Sequence, residues 1–275
     1  MRDGKASASA MTVALARAHL HWLGAIDDPH AGTVLTPRHE AAGRAFRRGP
    51  LARFGRSPTF GYIACRTRFF DDAVTRALDD GVTQVVILGA GYDSRPLRMA
   101  RAGVRWFEVD HPATQAEKRR RLPSPDVSYV ALDLVTGDLS AALHGAGFED
   151  RPAAFLAEGL TMYLDRTTAG SLLAGLAGVA AAESRLAVDF SQGGGSVSLP
   201  SRVVASAMRR SFEYRGEQRY DWADESAAVD VLGAAGWGVT EVADGAVLAE
   251  RYLSGTPLRT EGISPSAFCV RATRA

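Results

Sequence analysis

Cysteine is scarce in this sequence. Cys65 and Cys269 are the only cysteines among 275 residues, and their wide separation matches neither a Cys-x-x-Cys motif nor a zinc-knuckle spacing. A disulfide framework is therefore excluded, and a reducing, cytoplasmic location is expected. The six histidines form no metal-ligand pattern either, so we predict no metal site.

Excess charge of one sign and long apolar runs are also lacking. The chain has 32 basic and 31 acidic residues, and a net charge of +1 offers no general attraction to nucleic acid or to an anionic membrane. One of the longest apolar runs, at 172–182, ends well short of the roughly 20 residues that span a bilayer. No secretory signal is recognisable near Met1. We expect neither a nucleic-acid nor a membrane partner.

Short apolar segments alternate with helix-like segments in the middle of the chain. A long helix is predicted at 60–78, and the apolar run at 84–88 is typical of a strand buried on both faces of a parallel sheet. Further strands are predicted at 104–108, 127–131, 153–157, 185–189, 237–242 and 267–272. A long loop is expected between the last two. This alternation predicts an α/β fold with a doubly wound, mostly parallel sheet.

A glycine turn follows the first predicted strand. Gly89 and Gly91 would let the backbone approach a ligand at the carboxyl end of the sheet. Ser94 replaces the third glycine of the dinucleotide fingerprint, and Asp93 places an acid where a pyrophosphate would lie. Asp110 ends the second strand, where its carboxylate can accept hydrogen bonds from ribose hydroxyls. The pattern favours S-adenosyl-L-methionine over NAD, with a simple tight turn as the alternative.

Three motifs in and after these strands can be compared with a known family. They are Val86-Ile-Leu-Gly-Ala-Gly-Tyr-Asp-Ser-Arg95, Phe107-Glu-Val-Asp110-His-Pro with Lys118, and Ala157-Glu-Gly-Leu-Thr-Met-Tyr-Leu164. Together they resemble the leucine carboxyl methyltransferase family, which includes bacterial polyketide O-methyltransferases. The resemblance implies a class I, Rossmann-like methyltransferase sheet of seven strands, the last antiparallel, and S-adenosyl-L-methionine as the cofactor.

The resemblance also assigns cofactor contacts by position. Arg66 matches an arginine that binds the methionine carboxylate, for which a planar guanidinium is well suited; an arginine on a helix surface is the alternative. Asp110 matches the ribose ligand, with Glu108 as the less favoured one. Asp133 matches an adenine contact, or else is a simple turn acid. The remaining matched positions are Gly89, Gly91, Leu134 and Glu158.

The implied reaction is methyl transfer to a carboxylate or hydroxyl oxygen of a small molecule, such as an aromatic or polyketide-like acid. A carboxylate acceptor needs no general base, whereas a hydroxyl needs one. His111 is the local candidate base, with a loop histidine as the alternative, and Tyr163 could face the methyl group or pack beneath a lid. An NAD-dependent oxidoreductase and a catalytically silent cofactor-binding protein remain alternatives.

We predict one domain of 275 residues in four parts. These are a helical N-terminal cover at 1–58, a cofactor-binding core at 59–190, a lid insertion at 191–222 and the C-terminal part of the sheet at 223–275. The lid is predicted because a long irregular stretch interrupts the alternation of strands and helices. It combines basic and aromatic side chains that suit an aromatic acid: Arg209, Arg210, Phe212, Tyr214, Arg215, Arg219, Tyr220 and Trp222.

Overall fold

A seven-stranded sheet lies at the centre of the described part of the chain. The computed structural model describes residues 7–47, 52, 54–192, 220–222, 224–258 and 267–275. The strands are β1 (Gln84–Leu88), β2 (Arg105–Asp110), β3 (Val127–Ala131), β4 (Ala154–Ala157), β5 (Arg185–Ser191), β6 (Trp237–Ala243) and β7 (Ala267–Arg274). Most of the predicted lid, including its residues from Arg209 to Arg219, lies outside the described residues.

The strand order is β3-β2-β1-β4-β5-β7-β6. The first five strands in this order are parallel, and β7 runs antiparallel to both of its neighbours. The prediction of a doubly wound, mostly parallel sheet with an antiparallel last strand is confirmed. The order reverses between β1 and β4, which is where open α/β sheets leave a crevice at their carboxyl ends.

Helices cover the faces of this sheet. They are α1 (Ala8–Trp22), α2 (Pro37–Arg47), α3 (Pro58–Asp79), α4 (Arg95–Arg98), α5 (Pro112–Arg121), α6 (Leu139–Gly145), α7 (Arg166–Val179), α8 (Glu225–Ala234) and α9 (Gly245–Tyr252). Within the described residues, no helix is both long and apolar enough to cross a membrane.

Alternate residues of β1 contribute to two apolar layers. Val85 and Ile87 pack on the face covered by α3 and α9, whereas Val86 and Leu88 pack on the face covered by α7 and α8. All five residues of β1 are buried, which explains why its sequence lacks a polar alternation. Burial of each large apolar side chain stabilises the fold by roughly 1.5–3 kcal/mol.

The prediction of one long loop between the last two strands is wrong. Helix α9 lies in this segment, and Asp244 caps it by accepting hydrogen bonds from the backbone amides of Ala246 and Val247, both at 2.9 Å. Leu248 and Tyr252 of this helix are buried against the α3 side of the sheet. The apolar face of α9 therefore completes the layer that α3 begins.

Two helices of the N-terminal segment lie before α3. Helix α1 contacts both α2 and α3, and its Ala10 lies beside Gly91. After α1, Asp28 is buried and connects this segment to the glycine turn. The N-terminal helices thus cover the carboxyl end of the sheet, next to the crevice.

Candidate functional site

The turn after β1 has a conformation that glycine suits best. Gly89 and Gly91 have φ values of +59° and +49°. A Cβ atom would lie 3.1 Å from Leu160 Cδ1 at position 89 and 3.1 Å from Ala10 Cβ at position 91. Leu160, in the segment after β4, and Ala10 of α1 therefore leave little room for a side chain at either position, so these two elements cover the turn closely.

Asp110, the last residue of β2, fixes the position of this turn. Its Oδ2 accepts a hydrogen bond from the Gly91 amide at 2.5 Å, and its Oδ1 accepts one from the His111 amide at 2.6 Å. Burial raises the pKa of Asp110, and the two amide donors partly oppose this shift. The carboxylate lies at the place expected for a ribose ligand.

Glu108 is engaged elsewhere, although it lies only two residues away. Its Oε1 accepts a hydrogen bond from Lys118 Nζ of α5 at 2.6 Å, and each side chain is only 1% exposed. This buried ion pair attaches α5 to β2. Glu108 is therefore an internal anchor, and Asp110 is the acid that the structure places beside the glycine turn.

Arg66 of α3 lies between two carboxylates from neighbouring strands. Its Nε donates to Glu158 Oε1 at 3.1 Å, and its Nη1 donates to Asp189 Oδ2 at 3.2 Å. All three side chains are less than 10% exposed. The alternative of a surface arginine is wrong for Arg66, because the guanidinium is buried at the carboxyl ends of β4 and β5.

Arg95 holds the other side of Glu158. Its side chain is fully buried and lies 2.7 Å from Glu158 Oε2, 2.5 Å from Asp93 Oδ2 and 2.7 Å from Asp71 Oδ1. Burial would raise the pKa of Glu158, but Arg95 and Arg66 hold it below its usual value. Glu158 is consequently ionised at neutral pH.

Ser94 and Asp93 explain how the turn departs from a dinucleotide fingerprint. Ser94 Oγ donates to Asp28 Oδ1 at 2.5 Å, and Arg17 of α1 lies 2.8 Å from Asp28 Oδ2. The position of the third glycine is thus used to attach the N-terminal helices. Asp93, the acid of this turn, is paired with Arg95 and therefore does not carry an isolated charge.

Asp133 and Leu134 lie after β3, at the edge of the crevice. Asp133 is exposed, and its Oδ1 accepts a hydrogen bond from the Val135 amide at 2.9 Å. This hydrogen bond is typical of an acid that stabilises a turn, which was the alternative to an adenine contact for Asp133. Leu134 is half-buried against the apolar layer on the α7 side.

The two candidate catalytic residues occupy different turns. His111 is the N-cap of α5, because its Nδ1 accepts a hydrogen bond from the Ala113 amide at 3.3 Å. It is therefore more than a loop histidine. Tyr163 is half-buried in a short 3-10 turn, Thr161–Tyr163, that follows β4. In the same turn, the Met162 carbonyl accepts a hydrogen bond from the Tyr220 amide at 2.8 Å, which brings the end of the predicted lid beside Tyr163.

Four residues of the site, three of them charged, were missed by the sequence analysis. Asp189 lies in β5 and contacts Arg66, and Arg17 and Asp28 lie in the N-terminal segment. Gly159 is the fourth, with a φ of +66° and a position against the Arg66 guanidinium. Gly159 and Asp189 carried a sequence signal, since Gly159 directly follows Glu158 at the end of one predicted strand and Asp189 is the last residue of another.

Comparison with known proteins identifies the family. The family model described as leucine carboxyl methyltransferase matches residues 8–177, which is more than half of the chain. The chain belongs to the leucine carboxyl methyltransferase family. The match contains α1, the glycine turn, Arg66, Asp110 and Glu158.

Relatives of this family member carry methyltransferase names. A protein of Parafrankia sp. (strain EAN1pec), named "Putative S-adenosyl-L-methionine-dependent methyltransferase Franean1_4929", is 38% identical over 191 residues, covering 66% of this chain and 59% of the relative. A similarly named protein of Mycolicibacterium vanbaalenii is 35% identical over 197 residues, covering 66% of this chain and 62% of the relative. The matched part of the chain thus spans about six tenths of the length of these relatives.

Solved structures support the fold of this leucine carboxyl methyltransferase family member. A DUF574 family protein from Streptomyces avermitilis superposes with a TM-score of 0.61 at 17% identity, covering 94% of this chain and 97% of the other. At identities this low the likeness shows the fold alone.

Proposed function

We propose that this chain binds S-adenosyl-L-methionine at the carboxyl end of its sheet and transfers the methyl group to an oxygen of a small-molecule acceptor. The observation that carries the proposal is the set of Arg66 and Glu158, which are buried, and Asp110, which is half-buried beside the glycine turn. Burying such charges is costly unless they are paired or used, and here they converge at the switch point of the sheet. The names of the family relatives support the same cofactor.

The residues present fit this cofactor at both of its ends. Asp110 offers carboxylate oxygens near the turn for a ribose diol. Arg66 offers a guanidinium for the amino-acid carboxylate. Glu158 is paired through Oε1 with Arg66 and through Oε2 with Arg95, and under this proposal its negative charge would lie near the ammonium group of the amino-acid end. The cluster of acids also suits the positive charge of a sulfonium.

The contribution of the chain to catalysis is binding, orientation and exclusion of water. The bound cofactor supplies an electrophilic methyl group on a cationic sulfur. Arg66 and Asp110 lie near opposite ends of the proposed site, and helix α1 covers the glycine turn. Holding two reactants in line lowers the barrier mainly through positioning. Tyr163 and the Tyr220 segment lie on the side where an acceptor would enter under this proposal.

We propose a carboxylate as the acceptor oxygen, in an aromatic or polyketide-like acid. A carboxylic acid with a pKa near about 4 is ionised at neutral pH and requires no base. In addition, His111 Nδ1 accepts a hydrogen bond from the Ala113 amide, so the neutral ring carries its hydrogen on Nε2 and its one acceptor nitrogen is already engaged. With a carboxylate acceptor, turnover should be flat from about pH 6 to 9. A rate that rises through about pH 7 and is abolished in His111→Ala would establish hydroxyl methylation instead.

Calorimetric titration tests the cofactor directly. S-Adenosylhomocysteine should bind the unmodified chain with a micromolar Kd, and NAD should show no comparable binding. Tight binding of NAD with no response to S-adenosylhomocysteine would replace this proposal with a nicotinamide-dependent function. Binding of neither ligand would leave the family member as a catalytically silent protein.

A further inference from the structure

Asp189 connects three elements of the candidate site. Its Oδ1 accepts a hydrogen bond from the Gly159 amide at 2.5 Å, and its Oδ2 accepts hydrogen bonds from Arg66 Nη1 at 3.2 Å and from the Tyr62 hydroxyl at 3.5 Å. Its backbone carbonyl also accepts a hydrogen bond from Thr161 Oγ1 at 2.5 Å. One residue of β5 thus holds α3 and the turn after β4 in a fixed relation.

Packing of the apolar core does not explain why an aspartate occupies position 189. Asp189 is 4% exposed, and its neighbours Val188 and Phe190 are buried apolar residues. Burial raises the pKa of Asp189, and Arg66 only partly opposes that shift. Replacing buried ion pairs with well-packed apolar residues is often neutral or stabilising, so a carboxylate at this position calls for a role beyond packing.

Gly159 brings the backbone against the same guanidinium. Its φ of +66° is unfavourable for other residues, and a Cβ atom there would lie 3.3 Å from Arg66 Nη1. Asp189 therefore contacts both Arg66 and the Gly159 amide, two groups that lie on the same side of the site. A substitution of Asp189 would therefore change the orientation of the Arg66 guanidinium relative to Glu158.

We propose that Asp189 is a positioning residue that sets Arg66 and the Glu158-Gly159 turn for the amino-acid end of the cofactor. This inference rests on the proposed function and assigns Asp189 a role at that same site. Asp189 acts through Arg66 and Gly159 and need not touch the ligand. Its contribution should therefore be specific to ligands that carry the amino-acid end.

The test compares two ligands that share the adenosine part. S-Adenosylhomocysteine carries an α-amino carboxylate, whereas 5′-methylthioadenosine lacks it. In Asp189→Asn, the amide keeps an acceptor for Gly159 but presents donor hydrogens to Arg66 in place of a charge. We expect the Kd of S-adenosylhomocysteine to rise about tenfold or more, a loss typical of charge-assisted contacts, and the Kd of 5′-methylthioadenosine to change less than twofold.

Two further variants make this test decisive. Gly159→Ala places a methyl group against Arg66 without changing Asp189. It should also weaken binding of S-adenosylhomocysteine more than binding of 5′-methylthioadenosine. This variant replaces Asp189→Asn in the test if Asp189→Asn fails to fold. Glu241→Gln removes a carboxylate that pairs with Arg271 and Arg251 outside the proposed site, and it should leave both Kd values unchanged.

Each outcome has a defined meaning. An equal loss of both ligands, or no loss of S-adenosylhomocysteine, in the folded site variants would overturn the positioning role. If the unmodified chain binds 5′-methylthioadenosine as tightly as S-adenosylhomocysteine, the amino-acid subsite itself is wrong. If it binds neither, the proposed function fails and the role of Asp189 falls with it.

Discussion

The charged side chains at the two ends of the sheet differ in how far they are exposed to solvent. At the carboxyl end, the side chains of Arg66, Arg95 and Glu158 are all less than 10% exposed and are paired with one another. At the amino end, Arg185 at the start of β5 pairs with Asp80 at 2.7 Å, but the two side chains are 35% and 57% exposed. Exposed pairs contribute little to stability, whereas buried charges are costly. The buried end is the one at which we propose the ligand site.

The largest loss of stability should come from substitution of Arg95, at the buried end. In Arg95→Leu, three carboxylates that lie within 2.7 Å of the guanidinium each lose one cationic partner, and Asp93 and Glu158 among them are less than 10% exposed. We expect the free energy of unfolding to fall by about 3–5 kcal/mol, measured by urea denaturation at pH 7. A loss below about 1 kcal/mol would mean that water reaches these acids and that the two ends do not differ.

A smaller, pH-dependent effect is expected at Glu108. Burial raises the pKa of Glu108 to about 7, although Lys118 opposes this shift. Between the normal pKa of a glutamate and about pH 7, the Glu108 carboxyl is therefore protonated in the folded chain and ionised in the unfolded chain. The free energy of unfolding should therefore fall as pH rises toward about 7, and Lys118→Met should extend the fall to higher pH.

Urea denaturation between about pH 5 and 9 measures this dependence for Lys118→Met and the unmodified chain. The double variant Lys118→Met/Glu108→Gln is the control, since it has no carboxyl at position 108 to titrate. Parallel stability curves for Lys118→Met and the unmodified chain would show that the two side chains are not coupled.

The attachment of the N-terminal helices should make a moderate contribution. Ser94→Ala removes the hydroxyl that donates to the buried carboxylate of Asp28. A hydrogen bond to a charged group contributes about 1.5–3 kcal/mol, so stability should fall by that amount. Amide hydrogen exchange should also accelerate in α1 more than in β1. Equal acceleration in both elements would contradict a local attachment.

The smallest effect is expected at the amino end. Arg185→Ala removes an exposed ion pair and should cost at most about 1 kcal/mol, with the difference disappearing at high salt. Thermal melting in low and high salt provides the measurement. A loss comparable with that of Arg95→Leu would erase the distinction between the two ends.

The sheet could be predicted from the sequence because its strands carry local signals. The five residues of β1 are continuously apolar, and a glycine turn marks where the strand ends. Arg66, Asp110 and Glu158 could be proposed from the sequence because they match positions of the family that the chain resembles, and the structure places Arg66 and Glu158 in contact. Helix α9 was missed because it is short and lies in a segment that otherwise resembles a loop.

The remaining charges depend on contacts distant in sequence. Asp189 ends the strand predicted at 185–189, but the sequence does not show that it contacts Arg66, which lies 123 positions earlier. Ser94 looked like a missing glycine, and its partner Asp28 lies 66 positions earlier. No local pattern encodes such pairs, since only the folded sheet brings them together.

Affinity for S-adenosylhomocysteine in a pair of arginine variants tests the central claim most directly. Arg66→Ala removes a guanidinium from the buried end, and Arg185→Ala removes one from the exposed end. We predict a Kd at least about tenfold higher for Arg66→Ala, measured well below its melting temperature, which should fall because Glu158 and Asp189 lose a buried partner, and an unchanged Kd for Arg185→Ala. Equal affinity in the two variants would contradict the assignment of the carboxyl end as the cofactor site.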